Sequence, residues 1–409
     1  MGTVSVAIDT NMKRTTRKEF LQTADQCAPI LKERRIYPKA IVNFSDAADY
    51  PETITADKIE NIGTYHLGKG QKVCLDFGHH QVGYVTLKLK SIGSPQDAPA
   101  YIKLKFGEIA KEMTEDSAEY DGWISRGWIQ EETIHVDVLP TELKLPRRYA
   151  FRFLEIEVVD TSLKWKLQIE EVECTSVSAV DMQDVNKITY QDQLEEKIDE
   201  ASLRTLQNCM QKVFEDGPKR DRRLWLGDLK LQAQVNYCTF KNYDLVKRCL
   251  YLFAGQTRED GMVSSCLFIE PEIIADDTML MDYSMLYGSV LWEYYKAAKD
   301  RETLKELSQC AYRQMELAKI HFDDRNILIP GEGFWGFIDW TKNLDIQCAM
   351  QGVYIYCARE VQKIAEELGE SEIAEKMKKE AELKKEAAIQ HFYDRYRGLF
   401  VSGKERQVN

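Results

Sequence analysis

The stretch Asp216-Gly217-Pro218-Lys219-Arg220-Asp221-Arg222-Arg223-Leu224-Trp225-Leu226-Gly227-Asp228 decides how the C-terminal half is read. Pro218 has no N–H and Gly217 is flexible, so the helical pattern before them ends and a loop begins. Carboxylates and guanidinium groups crowd this loop around a single tryptophan. Asp228 stands just before LKLQAQVNY and can cap the helix that follows, and Asp216 can close an Asx-type turn. The remaining charges then form a solvated ion-pair network of little energetic weight. The other reading is a polar pocket. Carboxylates beside arginines hydrogen-bond vicinal hydroxyls, an indole stacks on the apolar face of a sugar, and a carboxyl partly desolvated by that indole acquires the raised pKa of a general acid.

Upstream of the loop, apolar residues alternate with period two. Val85/Leu87/Leu89, Ile102/Leu104/Phe106, Ile134/Val136/Val138, Leu154/Ile156/Val158 and Trp165/Leu167/Ile169 each share a face. With turn signals and no helical pattern between them, these runs predict a jelly-roll-like β-sandwich over 71–185, preceded by an irregular segment 1–70 with edge strands. Beyond residue 185 the period becomes helical. Leu194, Ile198, Leu203, Leu206, Met210 and Val213 form one stripe, and further helices are predicted near 229–253, 276–299, 301–320, 343–367 and 370–392. Ile320-His321-Phe322-Asp323-Asp324-Arg325 is weakly repeated as Gln390-His391-Phe392-Tyr393-Asp394-Arg395. Paired helices with short returning strands suggest a partial (α/α)6 barrel over 186–409, because a closed ring of about twelve helices needs ~350 residues. A half-ring leaves apolar helix faces uncovered, which predicts self-association into a homo-oligomer.

Composition narrows the class. Apolar residues are 44% and charged residues 30%, and 67 acidic against 55 basic side chains give a net charge of −12. That balance argues against a general affinity for nucleic acid or membrane surfaces. No run approaches the roughly 18 apolar residues of a membrane span. Ten cysteines without a CxxC pair suit reduced thiols in a cytoplasmic protein. Neither a phosphate loop, a dinucleotide fingerprint, a zincin motif nor a serine-hydrolase elbow is present, and no cofactor or metal is expected.

The charged loop resembles the signature of the glycoside hydrolase family 78 α-L-rhamnosidases, D-C-P-x-R-E-R-x-x-W-x-G-D. Asp216, Pro218, Arg220, Arg222, Trp225, Gly227 and Asp228 match in register, whereas Gly217 and Asp221 depart from it. Asp282-Tyr283-Ser284, Leu291-Trp292-Glu293-Tyr294-Tyr295, Gly336-Phe337-Ile338-Asp339-Trp340, Leu75-Asp76-Phe77-Gly78 and Gly83-Tyr84 look like further segments of that family. The resemblance implies inverting hydrolysis of terminal α-L-rhamnose. Asp221 falls at the general acid, Asp216, Arg220, Trp225 and Asp228 at sugar-binding positions, and Asp282, Asp339 and Trp340 at further pocket positions. Inversion needs two carboxyls roughly 6.5–9.5 Å apart. The family's base comes from a later barrel segment, so the resemblance assigns none here; Glu332 and Glu405 are the spare acids near loops. Aspartate in place of glutamate sets the acid about 1 Å back, a displacement that can cost ~100-fold in rate. The alternatives are a sugar-binding protein without hydrolysis, or another specificity on the same fold. His79-His80 has no spaced metal partner and reads as structural, and Trp123 and Trp128 as packing or as a reach toward the sugar.

Overall fold

The strand Gln71–Gly93 organises the N-terminal half because it changes partners along its length. Its first part pairs with Tyr149–Asp160 and Ala40–Phe44, and its second with Trp165–Ser178 and Thr141–Lys144. The sheet therefore turns over on itself into a β-sandwich. The computed structural model describes residues 12–47, 49–186, 188–331, 334–341, 344–403 and 407–408. The strands Ala100–Gly107, Glu131–Val136, Thr53–Lys58 and Lys32–Ile36 complete the ten-stranded sheet together with His66–Leu67. The alternation read from the sequence is the core pattern: Val85, Leu87, Leu89, Ile102, Leu104, Leu154, Ile156, Trp165, Leu167 and Ile169 are all buried. One run breaks the rule. The strand ends at Val136, so Val138 lies beyond it in the turn leading to Pro140 and is exposed.

Among the described residues the helices are α1 Lys18–Gln26, α2 Ala110–Thr114, α3 Gln193–Cys209, α4 Leu226–Cys238, α5 Tyr243–Gly255, α6 Met281–Ala298, α7 Arg301–Lys319, α8 Gln347–Leu368 and α9 Ser371–Phe392. Two compact units result. One comprises residues 30–211 and 217–222; the other comprises 1–29, 212–216 and 223–409. Strands at 32–58 thus belong to the sandwich, and α3 is grouped with it rather than with the later helices. Gln211 donates to Val177 O and Ser178 to Gln207 O, while Leu194 and Ile198, expected on the buried stripe, are exposed.

In the helical unit α4, α6 and α8 lie side by side, with α5 and α7 behind them and α9 against α8. The helix expected over 229–253 is two helices. Asn236, fully buried, donates to Asn242 O and accepts Asn242 N–H, Lys241 takes a left-handed φ of 56°, and Asn242 caps α5 through Leu245 N–H. No glycine or proline marks this reversal, so the apolar period runs through it. The weak repeat is a recurring turn. After α5, α7 and α9 the chain makes short hairpins closed by Thr257–Val263, Phe322–Leu328 and Tyr393–Phe400 pairs. Gly261, Asn326 and Gly398 supply the left-handed residue in each. Strand Arg14–Thr16 pairs with Gln256–Arg258, and α1 packs on α5, where Arg248, 6% exposed, donates to Ala24 O at 2.6 Å and to Lys212 O at 2.9 Å. A second buried charge, Lys230 on α4, pairs with Glu293 on α6. Leu231, Val235 and Tyr356 are exposed on α4 and α8. No helix among the described residues is long and apolar enough to cross a membrane.

Candidate active site

The charged loop begins and ends on a two-bond bridge. Asp216 N–H donates to Arg223 O at 3.0 Å, and Asp216 Oδ1 accepts Arg223 N–H at 3.1 Å. Leu224–Trp225 then pairs with Cys266–Phe268, and Leu226 N–H bonds Ser265 O at 2.9 Å. Those bonds set the direction in which α4 starts. Trp225 is the N-cap residue, so Asp228 sits inside the first turn, where a carboxylate suits the positive end of the helix. Arg223 lies 4.2 Å above the Phe268 ring and 3.4 Å from Asp276, which also accepts from Cys266 Sγ and Thr278 Oγ1.

Tyr283, on the first turn of α6, packs against Trp225 and Phe337. Its phenol is pushed above the usual range, first by burial and then by the carboxylates of Asp228, Asp282 and Asp216. Three of the acids singled out in the sequence thus act electrostatically on one phenol. Trp225 meets the Tyr283 ring edge-on at 6.1 Å, and its indole N–H is buried with no hydrogen-bond partner among the described residues. A Cβ at Gly227 would stand 2.4 Å from the Tyr283 ring, which explains the glycine in that position of the loop.

Asp282 is 4% exposed and both its oxygens accept Phe337 N–H, at 3.1 and 3.2 Å. Gly336, just before that N–H, lets the chain pass close to Met350 and Asp282. The carboxyl thus fixes the loop that carries Asp339 and Trp340. Phe337 touches Tyr283 on one side and Trp340 on the other, at 6.3 and 5.0 Å between ring centres. Asp339 Oδ1 accepts Trp340 N–H, but both residues are exposed, Trp340 to 79%, so they flank the acidic cluster without being enclosed by it. Two shallow cavities, of about 260 and 270 Å³, lie elsewhere, at the α8–α9 turn and beside His391. Glu332 and Glu405 lie outside the described residues.

Burial raises the Asp282 pKa to about 6, against the pull of the Phe337 N–H. Unfolded aspartate titrates near 3.9. The stability that folded Asp282 gains by keeping its proton is complete below pH 4 and is lost as pH rises through 6. Asp282→Asn removes that loss. The variant is expected to match the parent at pH 4 and to exceed it by roughly 2–3 kcal/mol at pH 7.5. Urea unfolding at the two pH values measures this, and an equal offset at both would refute it.

Residues 217–222, which carry Arg220 and Asp221, are grouped with the sandwich unit. Asp221 and Arg222 take left-handed φ values of 67° and 55° in succession, a conformation that costs roughly 1–3 kcal/mol per non-glycine residue. Arg222 N–H reaches back to Arg220 O at 2.9 Å and to Gly217 O at 3.2 Å. Asp221 lies 3.5 Å from Arg220, and its side chain is only 14% exposed against 45% for the arginine. Arg222 donates to Arg148 O at 2.9 Å, and Lys219 pairs with Glu108 and Glu112. Tyr283 and the carboxylate partners of Lys219 escaped the sequence reading. The only sign of Tyr283 was its place beside Asp282, and nothing near the loop marked the glutamates.

Residues 183–408 match the bacterial alpha-L-rhamnosidase 6 hairpin glycosidase domain, and residues 38–176 the glycosyl hydrolase family 78 alpha-rhamnosidase N-terminal domain. The chain belongs to glycoside hydrolase family 78. A solved rhamnosidase from Klebsiella oxytoca with rhamnose bound is 43% identical, with a TM-score of 0.93 over 97% of this chain and 78% of that one. The family 78 rhamnosidase of Bacillus sp. GL1 (20% identity, TM-score 0.66) and the alpha-L-rhamnosidase of Dictyoglumus thermophilum (17%, 0.66) share the fold. They align with 81% and 90% of this chain, which spans 33% and 38% of theirs. A search of curated proteins gave no match.

Proposed function

We propose that the protein removes terminal α-L-rhamnose from glycosides by inverting hydrolysis. The observation that carries this reading is the 43% identity of the chain to a rhamnosidase with rhamnose bound, supported by the packing of Trp225 on Tyr283 and by the electrostatic effect of Asp228, Asp282 and Asp216 on that phenol. Asp216 and Asp228 accept the sugar hydroxyls, Arg220 donates to them, and Trp225 covers the ring's apolar face. Asp282 holds the loop bearing Asp339 and Trp340, which extend the binding surface. Asp221 gives its proton to the glycosidic oxygen as the bond to the anomeric carbon breaks, water adds from the opposite face, and the products are β-L-rhamnose and the free alcohol. No residue is assigned as the base that takes the water's proton. A cytoplasmic location is part of the same reading, supported by ten cysteines without a CxxC pair, most of them packed as small apolar groups.

The test is hydrolysis of a panel of aryl glycosides, with the first-formed anomer followed by NMR. Release from the α-L-rhamnoside with β-L-rhamnose appearing first is the expected outcome. Retained configuration, or no release from that substrate, would overturn the proposal.

A further inference from the structure

Lys219 precedes Asp221 by two residues, and its ammonium lies between two carboxylates of the sandwich. It stands 3.5 Å from Glu108 Oε2 and pairs directly with Glu112, with its side chain 21% exposed. Neither glutamate is loose. Glu112 Oε2 accepts Glu108 N–H at 2.6 Å, and Glu108 Oε1 bonds His80 Nε2 at 2.8 Å. His80 is itself fixed by Asn208 on α3, at 2.9 Å to its ring and 3.2 Å to its carbonyl. Burial acts to raise Glu108, yet His80 and Lys219 hold it below the usual carboxylate range, so it stays ionised as a partner for the lysine. On the far side of Asp221, Arg222 is tied to Arg148 O. The strained pair Asp221–Arg222 is thereby bracketed by two anchors on the same β-sandwich.

We propose that Lys219, clamped by Glu108 and Glu112, is a positioning residue for Asp221. The clamp holds the left-handed turn that an unanchored loop would leave for a commoner backbone conformation. Its purpose follows from the shortened acid: an aspartate at this position reaches less far than a glutamate, so the loop beneath it must be fixed closely. This inference rests on the reading of Asp221 as the general acid.

The test uses the dependence of rate on the leaving group. A proton donor matters for an alkyl or a poor aryl leaving group and hardly at all for dinitrophenolate. Lys219→Met is expected to lose ~10- to 100-fold in kcat on a poor leaving group, with KM unchanged, and less than about threefold on dinitrophenyl α-L-rhamnoside. Lys219→Arg should recover part of the loss. Glu112→Gln, which alters the clamp from the sandwich side, should reproduce the split and serves if Lys219→Met does not fold. Equal losses on both substrates, or none, would overturn the positioning role. Asp221→Asn is the internal standard. If it lacks the leaving-group split, the acid assignment itself falls; if it shows the split and the Lys219 and Glu112 variants do not, only the clamp does.

Discussion

Asp221→Asn is expected to lower hydrolysis of unactivated rhamnosides by about 10³-fold, the scale set by a lost general acid. The substitution keeps the size and planarity of the side chain, so the turn at Asp221–Arg222 and its bonds to Gly217 O and Arg220 O have no reason to change. What it removes is a transferable proton. Rhamnose binding, assigned to Asp216, Arg220, Trp225 and Asp228, should persist within a few-fold. Steady-state rates together with calorimetric titration of rhamnose separate the two effects. A variant with undiminished turnover would dismiss Asp221 as the acid, and one that neither turns over nor binds would show that it holds the sugar instead.

Lys230→Met is expected to destabilise the helical unit by about 3–5 kcal/mol, the cost of leaving one member of a buried ion pair without its counter-charge. Lys230 and Glu293 have side chains only 9% and 12% exposed. Gln234 adds one bond to Glu293 Oε1 at 2.9 Å, but Glu293 Oε2 is buried with no hydrogen-bond partner among the described residues. Lys230 also lies 5.6 Å from the Tyr356 ring centre, and Ser289 holds the Tyr356 hydroxyl at 2.9 Å. Methionine fills the lysine's space but leaves the carboxylate stranded. The double variant Lys230→Met/Glu293→Leu should recover most of the loss, because two apolar groups of similar volume replace the pair. Chemical denaturation of the single and double variants decides this, and a single variant as stable as the parent would refute it.

The strands were legible because each buries one face, and burial on one face forces alternation. Val85, Leu87 and Leu89 could be read from spacing alone. The break between α4 and α5 was not legible, because Asn236 and Asn242 make the turn through side-chain bonds that leave no glycine or proline in the sequence. For the charged loop, Gly217-Pro218 announced the end of a helix, and the spacing from Asp216 to Asp228 announced a known signature. Its supports were hidden for a simple reason: Lys219 finds Glu112 at a separation of 107 residues. No local pattern records that pairing. Asp282 and Tyr283 were visible as a dipeptide, but the contact of the Tyr283 ring with Trp225 exists only once α4 and α6 lie together.

The position of α1 bears on how the protein is made. Its carbonyl at Ala24 receives Arg248, a partner 224 residues further along the chain. At a synthesis rate of 5–20 residues per second that partner emerges roughly 10–45 s later. The first helix therefore waits on the ribosome, without its docking surface, while the whole β-sandwich is translated. Shortening the gene from its 5′ side would relieve that delay but take the Ala24 carbonyl from Arg248 and uncover the face of α5 on which α1 packs. A piece beginning at residue 183, where the match to the hairpin glycosidase domain starts, would inherit that defect.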